Sequence, residues 1–252
     1  MKKDVEQRIT LNRGQKKAKL HTMRGKNVFV DGGAGTGKSV FIRDVVKELE
    51  ATGKRVLLCA PTGIAALHVG GMTIHGAFGF AAGPRIERGK DGMGHILSKV
   101  SEKLKVADVV VIDEVSMVRA DLFDSIVEAI RKAEKDTGKT IQLVVVGDFY
   151  QVPPVLRNDS FEKILLQDYY GSGIGYGYAF QGKYWDECGF HTVSLTEPMR
   201  QKDPRFIECL NKIRVGDCSD LDWLNDTAML NQGMAAVSLY SHKDDVDNLN
   251  RR

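Results

Sequence analysis

An eight-residue run, Gly32-Gly33-Ala34-Gly35-Thr36-Gly37-Lys38-Ser39, lies between a short apolar segment and an amphipathic one, and it restricts the possible folds more than any other feature. Its glycines let successive backbone N–H groups turn inward around an anion. The dipole of a following helix adds partial positive charge, Lys38 reaches the outer phosphates, and Ser39 offers a hydroxyl to magnesium. Such a loop works at the carboxyl end of a strand that feeds a helix. Residues 27–31 read as that strand, and Phe41, Ile42, Val45, Val46 and Leu49 recur at helical spacing behind the loop. Gly33, Ala34, Gly35, Thr36, Gly37, Lys38 and Ser39 are the expected phosphate cradle.

The rest of the chain alternates short apolar runs with longer amphipathic ones, the signature of βαβ units and a mostly parallel sheet. Strands are expected at 55–60, 109–113, 141–146, 192–195 and 237–240, with helical stretches at 120–133 and 206–213. The runs at 109–112 and 141–146 are apolar throughout, as strands covered on both faces are. Asp113 and Glu114 end one of them, which puts two carboxylates beside the phosphate loop. Asp113 is expected to hold magnesium through water, and Glu114 to orient or deprotonate the attacking water. Gln151 follows the next strand, where its neutral amide can bond both a terminal phosphate and that water. Water attack suits this set better than transfer to a metabolite. A GTP switch is excluded, since Asn211-Lys212-Ile213-Arg214 lacks the acid of a guanine reader.

With 252 residues and 42% hydrophobic content the chain can bury a large core. Its apolar runs stop far short of the roughly 18 residues of a membrane span, and Asp4 and Glu6 spoil any secretory leader, so a soluble, non-exported protein is expected. Cys59, Cys188, Cys209 and Cys218 form no pair at metal-ligand spacing, so buried reduced thiols are expected. The net charge is +3, but residues 1–26 hold nine bases and two acids, leaving −4 for the remainder. Nucleic-acid contact must come from local grooves rather than a globally basic surface.

In their order and combination these motifs resemble the superfamily 1B DNA helicases of the petite integration frequency family, over residues 11–252. The resemblance rests on Leu11-Asn12-Arg13-Gly14-Gln15, the phosphate loop, Ala60-Pro61-Thr62-Gly63-Ile64-Ala65-Ala66, Thr73-Ile74-His75-Gly76-Ala77-Phe78-Gly79, Asp113-Glu114-Val115-Ser116-Met117, the run from Gly147 to Pro154, and Leu195-Thr196-Glu197-Pro198-Met199-Arg200-Gln201. It implies a RecA-like P-loop NTPase domain. ATP and Mg2+ would power 5′-to-3′ movement on single-stranded DNA, and forks and G-quadruplexes would be unwound in replication, repair or recombination. The alternative is a nucleotide-regulated single-strand binding module that unwinds nothing.

By resemblance, Gln15 reads adenine, unless it is only a polar residue on a solvated helix. Arg200 reaches the γ-phosphate, unless it makes only a surface ion pair. Pro61, Thr62, His75 and Phe78 line the single-strand track, with packing under a loop the competing role for His75 and Phe78. Residues 124–142 fall at the family's signature helix. Met199 stands where the family usually carries an aromatic.

The resemblance also sets the expected domains. A first RecA-like domain occupies 1–215, with a small wedge at 81–105 that carries Arg85, Arg88 and Lys90, although charge there also serves a solvated loop. A second RecA-like domain begins at 216–252. The later motifs do not appear, so the N-terminal part of a longer helicase is expected. Segment 157–182, with four tyrosines and five glycines, reads as a flexible surface insertion in preference to a base-stacking platform. A monomer is expected, in the cytoplasm with the nucleoid for a bacterial or phage source, or in the nucleus or mitochondrion for a eukaryotic one.

Overall fold

A computed structural model describes residues 10–88, 94–156 and 161–229. The elements follow in order: α1 (Arg13–Met23), β1 (Val28–Gly32), α2 (Lys38–Ala51), β2 (Val56–Ala60), α3 (Gly63–Val69), β3 (Met72–Thr73), α4 (Ile74–Phe78), β4 (Ile86–Arg88), β5 (Gly94–Ile96), α5 (Glu102–Val106), β6 (Val109–Ile112), α6 (Ala120–Thr137), β7 (Gln142–Gly147), α7 (Phe161–Tyr170), β8 (His191–Leu195), α8 (Pro204–Arg214) and α9 (Leu221–Met229). The expected strands in the first 195 residues are all present, each within a residue of its expected ends. The strand expected at 237–240 lies outside the described residues.

Six strands form a parallel sheet in the order β3-β2-β6-β7-β1-β8. Alternate residues of the central strands feed opposite layers, as the two-residue period of a strand requires. Val109, Val111, Val144 and Val146 pack with Phe41, Ile42, Val45 and Leu49 of α2. Val110, Ile112, Leu143 and Val145 pack with Phe123, Ile126 and Ile130 of α6. Each such side chain contributes about 1.5–3 kcal/mol by leaving water. Helix α6 ends where Gly138 takes the left-handed conformation, φ 68.

The described part of segment 157–182, residues 161–182, corrects the expectation of a flexible insertion. It contains α7, whose Leu166 packs with Ile174, Ile86 and Ala120 in a small core of its own. The Tyr170 hydroxyl donates to the buried Asp124 carboxylate at 2.7 Å, and the Lys183 and Tyr184 backbone N–H groups donate to it as well. Burial and this partner push the Tyr170 hydroxyl up in pKa. Within the expected wedge, β4 and β5 pair as an antiparallel ribbon.

The chain divides into two compact units, 1–203 and 204–252. In the second unit Asp220 takes both Arg205, at 2.8 Å, and Lys212, at 2.9 Å. Cys59 and Cys209 are buried free thiols, with the Cys59 thiol pushed up to about 12 by burial, whereas Cys218 is exposed and departs from the expectation. Among the described residues no helix is long and apolar enough to cross a membrane.

Candidate nucleotide cleft and nucleic-acid groove

The carboxyl ends of β6, β7, β1 and β8 lie side by side, and each delivers one piece of the same cleft. From β1 comes the phosphate loop. Gly35 and Gly37 have φ 76 and 87, angles that only glycine adopts without strain. Thr36 is buried and its hydroxyl donates to the Gly33 carbonyl at 2.9 Å. The Lys38 ammonium donates to the carbonyls of Gly32, at 2.7 Å, and Gly33, at 3.1 Å. Burial lowers its pKa, opposed by the carboxylates of Glu114, Asp148, Asp113 and Asp31.

Asp113, at the end of β6, is 4% exposed, and its Oδ1 accepts the Glu114 backbone N–H at 2.9 Å. Burial and the neighbouring Glu114 carboxylate push it up to about 6. Glu114 adopts φ 52, the one non-glycine residue with positive φ among those described. That turn costs of order 1 kcal/mol and aims Glu114 into the cleft while Asp113 stays behind it.

At the end of β7, Asp148 is fully buried. Its Oδ2 accepts the Gln151 side-chain amide at 2.9 Å, and its Oδ1 accepts the Tyr150 backbone N–H at 3.1 Å. Sequence reasoning assigned Asp148 no role. The signal available was an acid three residues before a functional glutamine in a post-strand turn. Beyond β8, the Met199 backbone N–H donates to the Gly35 carbonyl at 2.8 Å, which lays Arg200 along the phosphate loop.

Ala34, Gly35, Gly37, Lys38, Ser39, Glu114, Gln151, Met199 and Arg200 thus line one cleft of about 380 Å³, which Arg43 and His68 also enter. Sequence reasoning missed those last two, because neither stands in a diagnostic motif.

Gln15, the expected reader of adenine, lies against the phosphate loop and not on a solvated helix face. Gln15 is fully buried. Its Oε1 accepts the Asn12 backbone N–H at 2.9 Å, and its Nε2 donates to the Gly37 carbonyl at 2.9 Å beside the Met199 sulfur. A Cβ on Gly37 would strike both Gln15 and Met199. Gln15 therefore braces the start of α1 against the phosphate loop.

A second cleft, of about 300 Å³, gathers Pro61, Thr62 and His75 with Met117, Arg119, Pro154, Val155 and Glu162. Thr62 caps α3 by accepting the Ala65 N–H at 3.2 Å, so its hydroxyl hydrogen is available to donate outward. Burial, then Arg85 and Arg119, hold the His75 pKa below its ordinary value. Phe78 is not in this groove. It is fully buried and stacks on Phe80 at 5.2 Å. Ile74, Ala77 and Phe78 share one side of α4 by helical spacing and enter the core, while His75 falls off that side. The assignment of Phe78 to a strand track is corrected on that ground.

A phosphate loop on a parallel sheet, faced by Glu114, Gln151 and Arg200, defines a P-loop NTPase of the RecA-like kind. The model of the PIF1-like helicases matches residues 5–223, and the chain belongs to that family. It is 35% identical over 243 residues to the ATP-dependent DNA helicase PIF1 of Xenopus laevis, covering 91% of this chain and 35% of that protein. It superposes with TM-score 0.79 and 33% identity on a structure of two coordinating Pif1 helicases at forked double-stranded DNA, covering 96% of this chain and 57% of that one. For the Bacteroides Pif1 solved with ADP-AlF3 and single-stranded DNA the values are 0.77 and 31%, over 96% and 56%. The chain spans about a third of the length of the curated relatives it matches.

Proposed function

We propose that the chain serves an ATP-dependent DNA helicase that moves 5′-to-3′ on single-stranded DNA. The observation that carries this reading is the way two short segments connect the clefts. Glu114 lines the first cleft, and Met117 and Arg119, on the same segment, line the second. Gln151 lines the first, and Pro154 and Val155 line the second. A change in how Glu114 and Gln151 meet the terminal phosphate is thereby passed to the groove within a few residues.

In this reading the loop N–H groups and Lys38 bind the triphosphate, Glu114 accepts a proton from the attacking water, Gln151 orients that water, and Arg200 meets charge developing on the phosphoryl group. Ser39 and Asp113 would hold magnesium, which supplies charge neutralisation at the phosphates. Their hydroxyl and carboxylate suit a hard cation, and the buried Asp113 beside the half-buried Glu114, faced by Lys38, is a place where further positive charge is favourable. Among the described residues no cluster of three or more His, Cys, Asp or Glu forms an all-protein metal cage, so such an ion would arrive with the nucleotide. Pro61, Thr62 and His75 would contact the strand.

Forked and G-quadruplex substrates, a monomeric state, the β4–β5 ribbon as a wedge, and work in replication, repair or recombination belong to the same proposal. So does residence wherever DNA is kept: the nucleoid of a bacterial or phage host, or a nucleus or mitochondrion. The test is ATP turnover by the chain and by a longer protein containing it, with and without single-stranded DNA. Stimulation that disappears in Lys38→Ala and Glu114→Gln supports a motor. Nucleotide-dependent DNA binding without stimulated turnover replaces it with the binding module.

A further inference from the structure

Among the described residues lining the second cleft, Glu162 is the one acid. A carboxylate facing a path for a polyanion opposes binding, and its position here is specific. Arg119 gives Nε and Nη2 to the two oxygens of Asp121, at 2.6 and 3.0 Å, and Nη1 to Glu162 Oε2 at 2.9 Å. Asp121 is fully buried and also accepts the Arg85 backbone N–H, at 2.6 Å, so it fixes the guanidinium plane. The remaining edge points into the groove, where Glu162, 31% exposed and carried by a different element, takes it.

A guanidinium edge that bonds a carboxylate oxygen at this distance bonds a phosphate oxygen with the same geometry. We infer that Glu162 is a built-in stand-in for a nucleic-acid phosphate on Arg119, displaced when a strand enters the groove, and that it sets the groove's affinity and salt dependence. The inference rests on the DNA reading of this groove. Glu162 can release Arg119 without unseating α7, because the helix is held separately by buried Leu165 and Leu166. Arg119 stays in place through Asp121 and through a backbone bridge to Tyr178.

The test is binding of a fluorescent oligothymidylate to the full chain, measured by anisotropy across a salt series, for wild type, Glu162→Gln and Glu162→Ala. Glu162→Gln is expected to tighten binding about fivefold at low salt, the equivalent of relieving one exposed like-charge contact. It should also steepen the dependence of log K on log salt by up to about 0.7, because the wild type's displaced carboxylate takes back part of the counterion charge that the Arg119–phosphate contact releases and the variant has no such carboxylate. Glu162→Ala should do the same, and Arg119→Gln should weaken binding and flatten the slope. A merely structural Glu162 would lower the unfolding midpoint and leave the slope alone. Unchanged or weakened binding with an unchanged slope in both Glu162 variants overturns the inference while leaving the DNA groove standing. Failure of wild type and variants alike to bind the strand, with nucleotide still bound, removes the groove reading and the inference together.

Discussion

The Gln151 side chain is tethered by its amide to the buried carboxylate of Asp148, 2.9 Å away, so the residue expected to orient the lytic water is itself oriented by an acid that never faces the cleft. Replacing Asp148 by Asn keeps the shape and removes the charge that strengthens this bond. ATP turnover is expected to fall about tenfold, the value of one charge-assisted hydrogen bond reduced to a neutral one. Titration with a fluorescent ATP analogue should show nearly unchanged nucleotide affinity. A parallel loss of affinity would mean that Asp148 shapes the loop instead.

Lys38 and Glu114 line the same cleft but should fail differently. Lys38→Ala is expected to abolish measurable nucleotide binding in the titration. Glu114→Gln should retain binding and lower single-turnover hydrolysis by about 10²–10⁴-fold, the usual contribution of a positioned general base.

Phe78 and His75 are three positions apart on one short helix and separate stability from binding. Phe78→Ala should cost about 3–5 kcal/mol in urea unfolding, because it empties a fully buried aromatic site. His75→Ala should change stability little and weaken oligothymidylate binding.

His75 also gives stability a pH dependence. Its folded pKa lies below the ordinary value of 6.5, so above that pH it is neutral in both states. As the pH falls below 6.5 the unfolded chain takes up the proton first, and stability is lost until the folded pKa is reached. The fall in urea midpoint between pH 7.5 and 5.5 should be smaller in His75→Gln than in wild type.

Tyr170→Phe removes a donor from the buried Asp124 carboxylate. A loss of about 1.5–3 kcal/mol is expected, as for hydrogen bonds to charged groups. Strand affinity should be unchanged, and a drop in it would restore base stacking to the tyrosine-rich segment.

The strands and the phosphate loop were legible because their signals are local: five apolar runs, a glycine pattern, and acids at strand ends. Glu114, Gln151 and Arg200 were legible in the same way and converge on Lys38. Phe78 was misread because a motif marks a segment as functional without saying which side of its helix faces the groove. The bracing contacts of Gln15 were hidden because its partners, Gly37 and Met199, are remote in sequence. Segment 157–182 hid its small core because Leu166 and Ile174 are supplemented by Ile86 and Ala120 from elsewhere. Asp148 was invisible as a supporting group, since its contribution lies in what it holds.

Strand β1 is hydrogen-bonded only to β7 and β8, the last two strands of the sheet to be synthesised. The phosphate loop therefore has no flanking strand to rest on until residue 142 and beyond have left the ribosome, and no Met199 or Arg200 above it until some fifty residues later still. Pairings this distant in sequence are slow to form. ATP capture should thus appear as one of the last events in the folding of a nascent chain, and the onset of nucleotide binding during translation would mark completion of the sheet.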